Sequence, residues 1–220
     1  MIARGRFVTF EGGEGAGKST QIARLAARLS ALGIDIRRTR EPGGPADGSI
    51  EQAATLRKLL VEGDPGRWSP QSEGLLNYAQ RVEHVNRFVK PALDTGAWVL
   101  CDRFADSTMA YQGYAHGLGP AFVKSLHRAS LGAFKPDFTL ILDIPVADGL
   151  ARAGARAGAE TRFERFGRDF HERVRKGFRA IAKAEPKRCA VIDARGSLDQ
   201  VEARIWRALV KRFPTLAAAR

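Results

Sequence analysis

Two cysteines in 220 residues cannot build a disulfide framework. Each sits beside an apolar run, Trp98-Val99-Leu100 before Cys101 and Ala190-Val191-Ile192 after Cys189, which marks both as small core residues. The four histidines, His84, His116, His127 and His171, show no metal-ligand spacing, so no structural metal is expected. No apolar run approaches the roughly 20 residues that span a bilayer. The N-terminal Met1-Ile2-Ala3-Arg4-Gly5-Arg6 has no signal-peptide core, and the cytoplasm is the expected compartment. Negative charge is also short: 24 acidic against 36 basic residues leave a net charge of +12. Such a surface suits nucleic acid, an acidic membrane or small phosphorylated substrates; the plainer alternative is a compositional bias toward arginine. Repeats, linkers and low-complexity tracts are absent, so a single domain over 1–220 is expected. A hydrophobic content of 44% with 27% charged residues is that of a globular protein with a substantial core.

What the chain does carry is one loop, Gly12-Gly13-Glu14-Gly15-Ala16-Gly17-Lys18-Ser19, which fits G-x-x-x-x-G-K-[ST] at every fixed position. Phe7-Val8-Thr9-Phe10 before it reads as a buried strand, and Ile22, Leu25, Ala26 and Leu29 after it recur at helical spacing. Strand, glycine loop and helix together make a phosphate cradle. Glycines let successive backbone N–H groups turn inward, and the helix start adds its positive end. Lys18 can reach the β- and γ-phosphates of ATP, and the Ser19 hydroxyl can ligate Mg²⁺. An ordinary glycine-rich turn is the competing reading.

Further strands are expected at Ile34–Thr39, Trp98–Cys101, Phe138–Leu142 and Ala190–Ile192, and helices near 50–60, from Ser69-Pro70 to Gly96, over 120–131, 146–156, 163–184 and 198–213. Their alternation predicts an α/β fold with a parallel sheet of about five strands and helices on both faces. Ligands in such sheets bind beyond the carboxyl ends of the strands. Glu11–Ser19, Arg40–Gly44 and Asp102–Gln112 should therefore meet in one cleft. Asp102, ending a buried strand, stands where P-loop enzymes place a Mg²⁺-linked carboxylate; a cap for the following helix is the alternative. Arg103 offers a fork of donors to a substrate phosphate, or simply pairs with its neighbour.

The segments Glu11–Thr20, Thr39-Arg40-Glu41-Pro42-Gly43-Gly44, Asp102-Arg103-Phe104, Ser107-Thr108 and Ala110-Tyr111-Gln112-Gly113 occur in the order found in the thymidylate kinase family, which the chain resembles over nearly its whole length. Further matching segments are Arg81-Val82, Lys90–Leu93, Pro136–Leu140, Leu142-Asp143, Arg162-Phe163-Glu164, Phe170 and Arg173–Phe178. The resemblance implies a three-layer P-loop NTPase fold and phosphorylation of dTMP to dTDP by ATP and Mg²⁺. It implies that Gly12, Gly13, Glu14, Gly15, Ala16, Gly17, Lys18, Ser19 and Thr20 hold ATP, and that Ser19 and Asp102 serve Mg²⁺. Glu14 would lie near the dTMP sugar, Arg103 would contact the dTMP phosphate, and Arg40 and Glu41 would border it. Asn77, Arg81, Ser107, Thr108, Tyr111 and Gln112 would line the acceptor site. Homodimers are implied as well.

A basic stretch near 152–165 matches the family's lid. Members whose P-loop lacks an arginine take one from the lid, and here Glu14 occupies the loop position while Arg152, Arg156, Arg162 and Arg165 crowd the lid. Arg156 and Arg162 are the expected catalytic arginines, because transferred phosphoryl groups carry spread negative charge. Arg165 and Arg168 are expected to face water. One position departs from the family: Asn77 stands where a phenylalanine usually stacks on thymine, and an amide offers no comparable face. That leaves another deoxynucleotide or deoxynucleoside kinase as an alternative. A P-loop ATPase acting on nucleic acid is the alternative from another class, encouraged by the charge but without a stacking-aromatic platform.

Overall fold

In the computed structural model residues 4–155 and 162–218 are described. Five strands, β1 (Phe7–Glu11), β2 (Ile36–Arg40), β3 (Trp98–Asp102), β4 (Phe138–Asp143) and β5 (Cys189–Asp193), form one sheet. Their order is β2-β3-β1-β4-β5, and every pair is parallel. The helices between them are α1 (Lys18–Ala31), α2 (Glu51–Val61), α3 (Pro70–His84), α4 (Lys90–Asp94), α5 (Ala105–Thr108), α6 (Pro120–Leu131), α7 (Val146–Gly154), α8 (Arg168–Ala184), α9 (Leu198–Arg212) and α10 (Thr215–Ala218).

Alternation along the strands feeds apolar clusters on both faces of the sheet. Val8, Phe10, Leu100, Leu140 and Ile192 face α1 and α9, meeting Ile22, Leu25, Leu29, Ile205 and Leu209. Ile141 faces α8 through Phe170, Val174 and Phe178. Phe7, Val99 and Cys101 pack against Val85, Val89 and Leu93. Both faces are thus covered, as a parallel sheet requires. Both cysteines are buried and free. The edge strand β2 carries exposed Arg37 and Arg38, charges that discourage further strand pairing.

Local signals set the helix ends. Ser69 accepts a hydrogen bond from the Ser72 amide ahead of Pro70, and Ser197 with Gln200 forms a full capping box before α9. The helix expected from Phe163 starts instead at Arg168, because Gly167 is its extended N-cap and residues 162–166 form turns. The 146–156 helix ends at Gly154, and Arg156 lies outside the described residues. Among the described residues, no helix is long and apolar enough to cross a membrane.

Candidate active site

Register brings the chemistry to one level. Arg40 pairs with Asp102 across β2 and β3, Phe10 with Asp102 across β3 and β1, and Glu11 with Ile141 across β1 and β4. Above these carboxyl ends lies a cleft of about 280 Å³, lined by Glu14–Thr20, Arg40, Glu41, Asn77, Arg81, Asp102, Arg103, Ser107, Thr108, Tyr111 and Gln112. The structure thus gathers most of the residues picked out by sequence. Gly12 and Gly13 instead line a small cavity on the other side of the loop.

The loop needs its glycines for close approach. A Cβ on Gly12, at φ +132°, would stand 2.4 Å from the Leu142 carbonyl oxygen, and one on Gly15, at φ +65°, 1.9 Å from that of Gly149 in α7. Lys18 is buried, and its ammonium donates to the carbonyls of Gly12 (3.2 Å) and Gly13 (2.9 Å). Burial, reinforced by Arg103, brings its pKa down to about 8 despite Asp102 and Glu14. The Ser19 hydroxyl donates to Asp102 Oδ2 at 2.6 Å. The second oxygen, Oδ1, is buried and has no hydrogen-bond partner.

Arg103 has a backbone φ of 68°, in the left-handed region. Its guanidinium donates to Glu14 Oε1 (2.8 Å), the Gly12 carbonyl (3.0 Å) and Ser107 Oγ (3.2 Å). Glu14 Oε1 also accepts from the Tyr111 hydroxyl at 2.8 Å. Burial opposes the Glu14 charge, but Arg103, Lys18 and the Tyr111 hydrogen bond outweigh it and hold the pKa at about 2. The acid inside the phosphate cradle is therefore paired from the opposite side of the cleft.

Arg81 is buried in a second group. Its Nε donates to Glu41 Oε2 (2.6 Å) and its Nη2 to Thr108 Oγ1 (3.0 Å) and the Phe104 carbonyl (3.2 Å), while Nη1 is buried without a partner. Glu41 Oε1 is 2.9 Å from His84 Nδ1, and His84 Nε2 is 2.7 Å from Thr39 Oγ1. Burial would raise the Glu41 pKa, yet Arg81 and His84 keep it below its ordinary value. Tyr111 and Gln112 sit in a π-helical stretch, Met109–Ala115. Consecutive side chains diverge less there than on an α-helix, so both can face the same cleft.

Arg162 stands elsewhere. Its donors go to the carbonyls of Leu60 (3.0 Å), Asp64 (3.0 Å) and Pro65 (2.8 Å), and its Nη1 lies 2.5 Å from Glu73 Oε2 without the alignment of a hydrogen bond. It is buried, and it does not line the cleft. Its neighbour Phe163 does. Arg165 and Arg168 are exposed, as the charge pattern suggested.

Arg57 and Glu73 escaped the sequence reading, and Glu11, though within a segment expected at the cleft, had no role assigned there. Arg57 lines the cleft; its signal is a charge at the spacing of the buried Ala53 and Val61 of α2. Glu11 accepts from the Phe104 amide (2.7 Å), the Ser107 amide (3.2 Å) and the Ser107 hydroxyl (2.6 Å). Burial and the charge of Asp106 raise Glu11 to about 8. Glu73 accepts from Gln112 Nε2 at 2.5 Å. The partners of both acids are remote in sequence.

A family model described as thymidylate kinase matches residues 10–205. A thymidylate kinase from Caulobacter vibrioides is 52% identical over 96% of this chain and 99% of its own length. One from Nitrobacter winogradskyi is 49% identical over 98% and 93%. The crystal structure of thymidylate kinase from Ehrlichia chaffeensis superposes with a TM-score of 0.74 at 33% identity, covering 94% of this chain and 99% of that one. With the P-loop, the Asp102-Arg103 strand end and the buried Arg81 in one cleft, the chain belongs to the thymidylate kinase family.

Proposed function

We propose that the protein transfers the γ-phosphoryl group of ATP to dTMP, giving dTDP. The observation that carries this is the convergence of two phosphate-directed groups on one cleft: the P-loop with Lys18, and Arg103 facing it through Glu14. The same cleft is lined by Arg81, whose Nη1 is a buried donor lacking a partner where the base would lie.

The acceptor phosphate oxygen is already a nucleophile, so the residues need only align it and offset charge. Lys18 and the loop amides would hold the donor phosphates. Arg103 would turn part of its fork from Glu14 to the acceptor phosphate, leaving Glu14 for the sugar hydroxyl. Arg40 would border that phosphate. Glu41 and Thr108 would hold Arg81, while Asn77, Tyr111 and Gln112 would bound the base and sugar. Ser107 would steady Arg103.

Ser19 and Asp102 fit Mg²⁺: a hydroxyl and a buried carboxylate oxygen without a partner lie beside the phosphate cradle. A metal held by phosphates needs no all-protein cage, and among the described residues no group of three metal-ligating side chains occurs. When bound, the ion neutralises charge on the β- and γ-phosphates.

The stretch 152–165 would be the lid, closing to exclude water. Arg156 is its remaining candidate for the transferring group. Arg162 would have to give up four partners to reach the phosphates, and its placement favours an anchoring role. The Leu75 and Phe122 side chains are exposed, 54% and 38%, on the adjacent helices α3 and α6, and this face would pair two copies in a homodimer in the cytoplasm. Sedimentation as a monomer at micromolar concentration would exclude it.

The purified enzyme, given ATP, Mg²⁺ and dTMP, dUMP, dCMP, dGMP or AMP, should turn over dTMP with the highest kcat/KM. Preference for another acceptor would refute the reading. Tight, salt-sensitive binding to DNA would favour a nucleic-acid ATPase instead. Against that, several arginines are spent internally, as Arg81, Arg162, Arg175 and Arg188 are on Glu41, Glu73, Asp143 and Asp106.

A further inference from the structure

Glu73 sits on α3 with its carboxylate buried. It does not line the cleft, yet it holds two amides that do. Gln112 Nε2 donates to Glu73 Oε1 at 2.5 Å, and Asn77 Nδ2 donates to the Glu73 backbone carbonyl at 2.9 Å. Arg162 lies 2.5 Å from the other carboxylate oxygen, and the buried His116 Nε2, itself without a hydrogen-bond partner, is 3.7 Å from Oε1.

A carboxylate and a backbone carbonyl only accept hydrogen bonds. They therefore draw the NH₂ ends of both amides toward Glu73, and the chemistry of the acceptors sets which way each amide is turned. Turned this way, each amide points its oxygen away from Glu73. Arg81 Nη1, a buried donor without a partner, stands in the same cleft.

Resting on the reading of this part of the cleft as the acceptor-base site, we infer that Glu73 is the positioning residue behind its base preference. By turning Gln112 so that its carbonyl oxygen faces the ligand beside the Arg81 donor, Glu73 makes the wall complementary to a ring with a carbonyl next to an N–H. The imide edge of thymine or uracil has that order. Cytosine reverses it, with an amino group next to an unprotonated ring nitrogen. The amino group would then face the Arg81 donor and the bare ring nitrogen the Gln112 oxygen, and a buried polar group facing its like is left unpaired. The discrimination does not need a stacking ring, so it works with Asn77 in the wall.

The test is Glu73→Gln. A neutral amide can donate as well as accept, so Gln112 gains a second orientation with its NH₂ toward the base. The ratio of kcat/KM for dTMP over dCMP should fall at least tenfold, with KM for ATP unchanged. Glu73→Asp, which still only accepts, should keep the ratio within about threefold of wild type even where KM rises. Arg162→Lys keeps a cation opposite Glu73 and gives up the carbonyl contacts; it should leave the ratio unchanged. A Glu73→Gln enzyme with the native ratio overturns the inference. So does an equal collapse in Arg162→Lys, which would make Glu73 an anchor only. If Glu73→Gln does not fold, by circular dichroism, the wild-type enzyme decides with dTMP methylated at N3: turnover equal to that of dTMP overturns the inference, and a loss of tenfold or more supports it. Absence of dTMP turnover in the wild type would instead bring down the functional reading and this inference with it.

Discussion

Replacing Glu41 by Gln removes the only carboxylate that Arg81 touches among the described residues while keeping its volume. Glu41 is 4% exposed and Arg81 1%, so solvent cannot take over the lost charge. Gln can still accept the Arg81 Nε hydrogen bond, and Thr108 and the Phe104 carbonyl remain as acceptors. Breaking a buried pair by removing one partner costs about 3–5 kcal/mol, and the retained hydrogen bonds point to the lower end. With a urea m-value of about 2–3 kcal/mol/M, the unfolding midpoint at pH 7 should drop by about 1 M. The pH dependence has a fixed sign. The folded Glu41 pKa lies below its ordinary value of 4.5, so its stabilising contribution is complete above about pH 5 and is lost as pH falls through the folded value. The gap between wild type and variant should accordingly narrow below about pH 4.3. Urea titrations at pH 7, 5 and 3.5 supply the measurement. A midpoint shift under about 0.3 M at pH 7, or a gap that widens toward acid, would refute the argument.

Two further outcomes follow from the loop. Lys18→Met should leave the fold intact by circular dichroism and cost at least about 10²-fold in kcat, the scale of a lost charge-stabilising donor; near-native turnover would remove Lys18 from its role. Because Lys18 titrates at about 8 without nucleotide, a bound triphosphate should restore its proton, with uptake of about half a proton per site at pH 8. Calorimetry in two buffers of different ionisation enthalpy measures this, and no uptake at pH 8 would contradict it. Gly149→Ala should raise KM for ATP about tenfold or more, since its Cβ would stand 2.5 Å from the Glu14 carbonyl oxygen. An unchanged KM would mean that α7 yields and the loop does not depend on it.

Short-range pattern made the frame legible. β1, β3 and β4 are runs of buried apolar residues flanked by polar ones, and their expected bounds fall within one residue of those observed. Ser69-Pro70 announces α3 by capping chemistry alone. Boundaries failed where a glycine outweighed periodicity, as Gly167 does before α8. Residue types at the site were equally legible: a P-loop, an acid and an arginine at a strand end. Their partners were not, since pairing depends on the tertiary fold. Glu73 meets Gln112 and Arg162 at sequence separations of 39 and 89, and no spacing rule links them. Asn77 is the mirror case. Its identity announces a missing ring, but only the fold tells that its amide nitrogen is spent on its own helix.

The two halves of the cleft depend on each other through Arg103. A non-glycine residue at φ 68° costs about 1–3 kcal/mol, so something must hold it there. Glu11, the last residue of β1, accepts the Phe104 amide at 2.7 Å and the Ser107 hydroxyl at 2.6 Å, tying down the chain just beyond the strain. Glu14, inside the loop, takes the guanidinium at 2.8 Å. Both acids come from the segment that would cradle the donor phosphates, yet both act on the residue that would meet the acceptor. Their surroundings differ as their tasks do: Glu14, held at about 2, is ionised at neutral pH and offsets Arg103, whereas burial and the charge of Asp106 push Glu11 upward and the amides of Phe104 and Ser107 and the Ser107 hydroxyl take up its oxygens. The cradle can thus contain two acids without repelling its ligand. One is taken up by the amides and hydroxyl just beyond Arg103, and the other is already spent on the arginine whose position it secures.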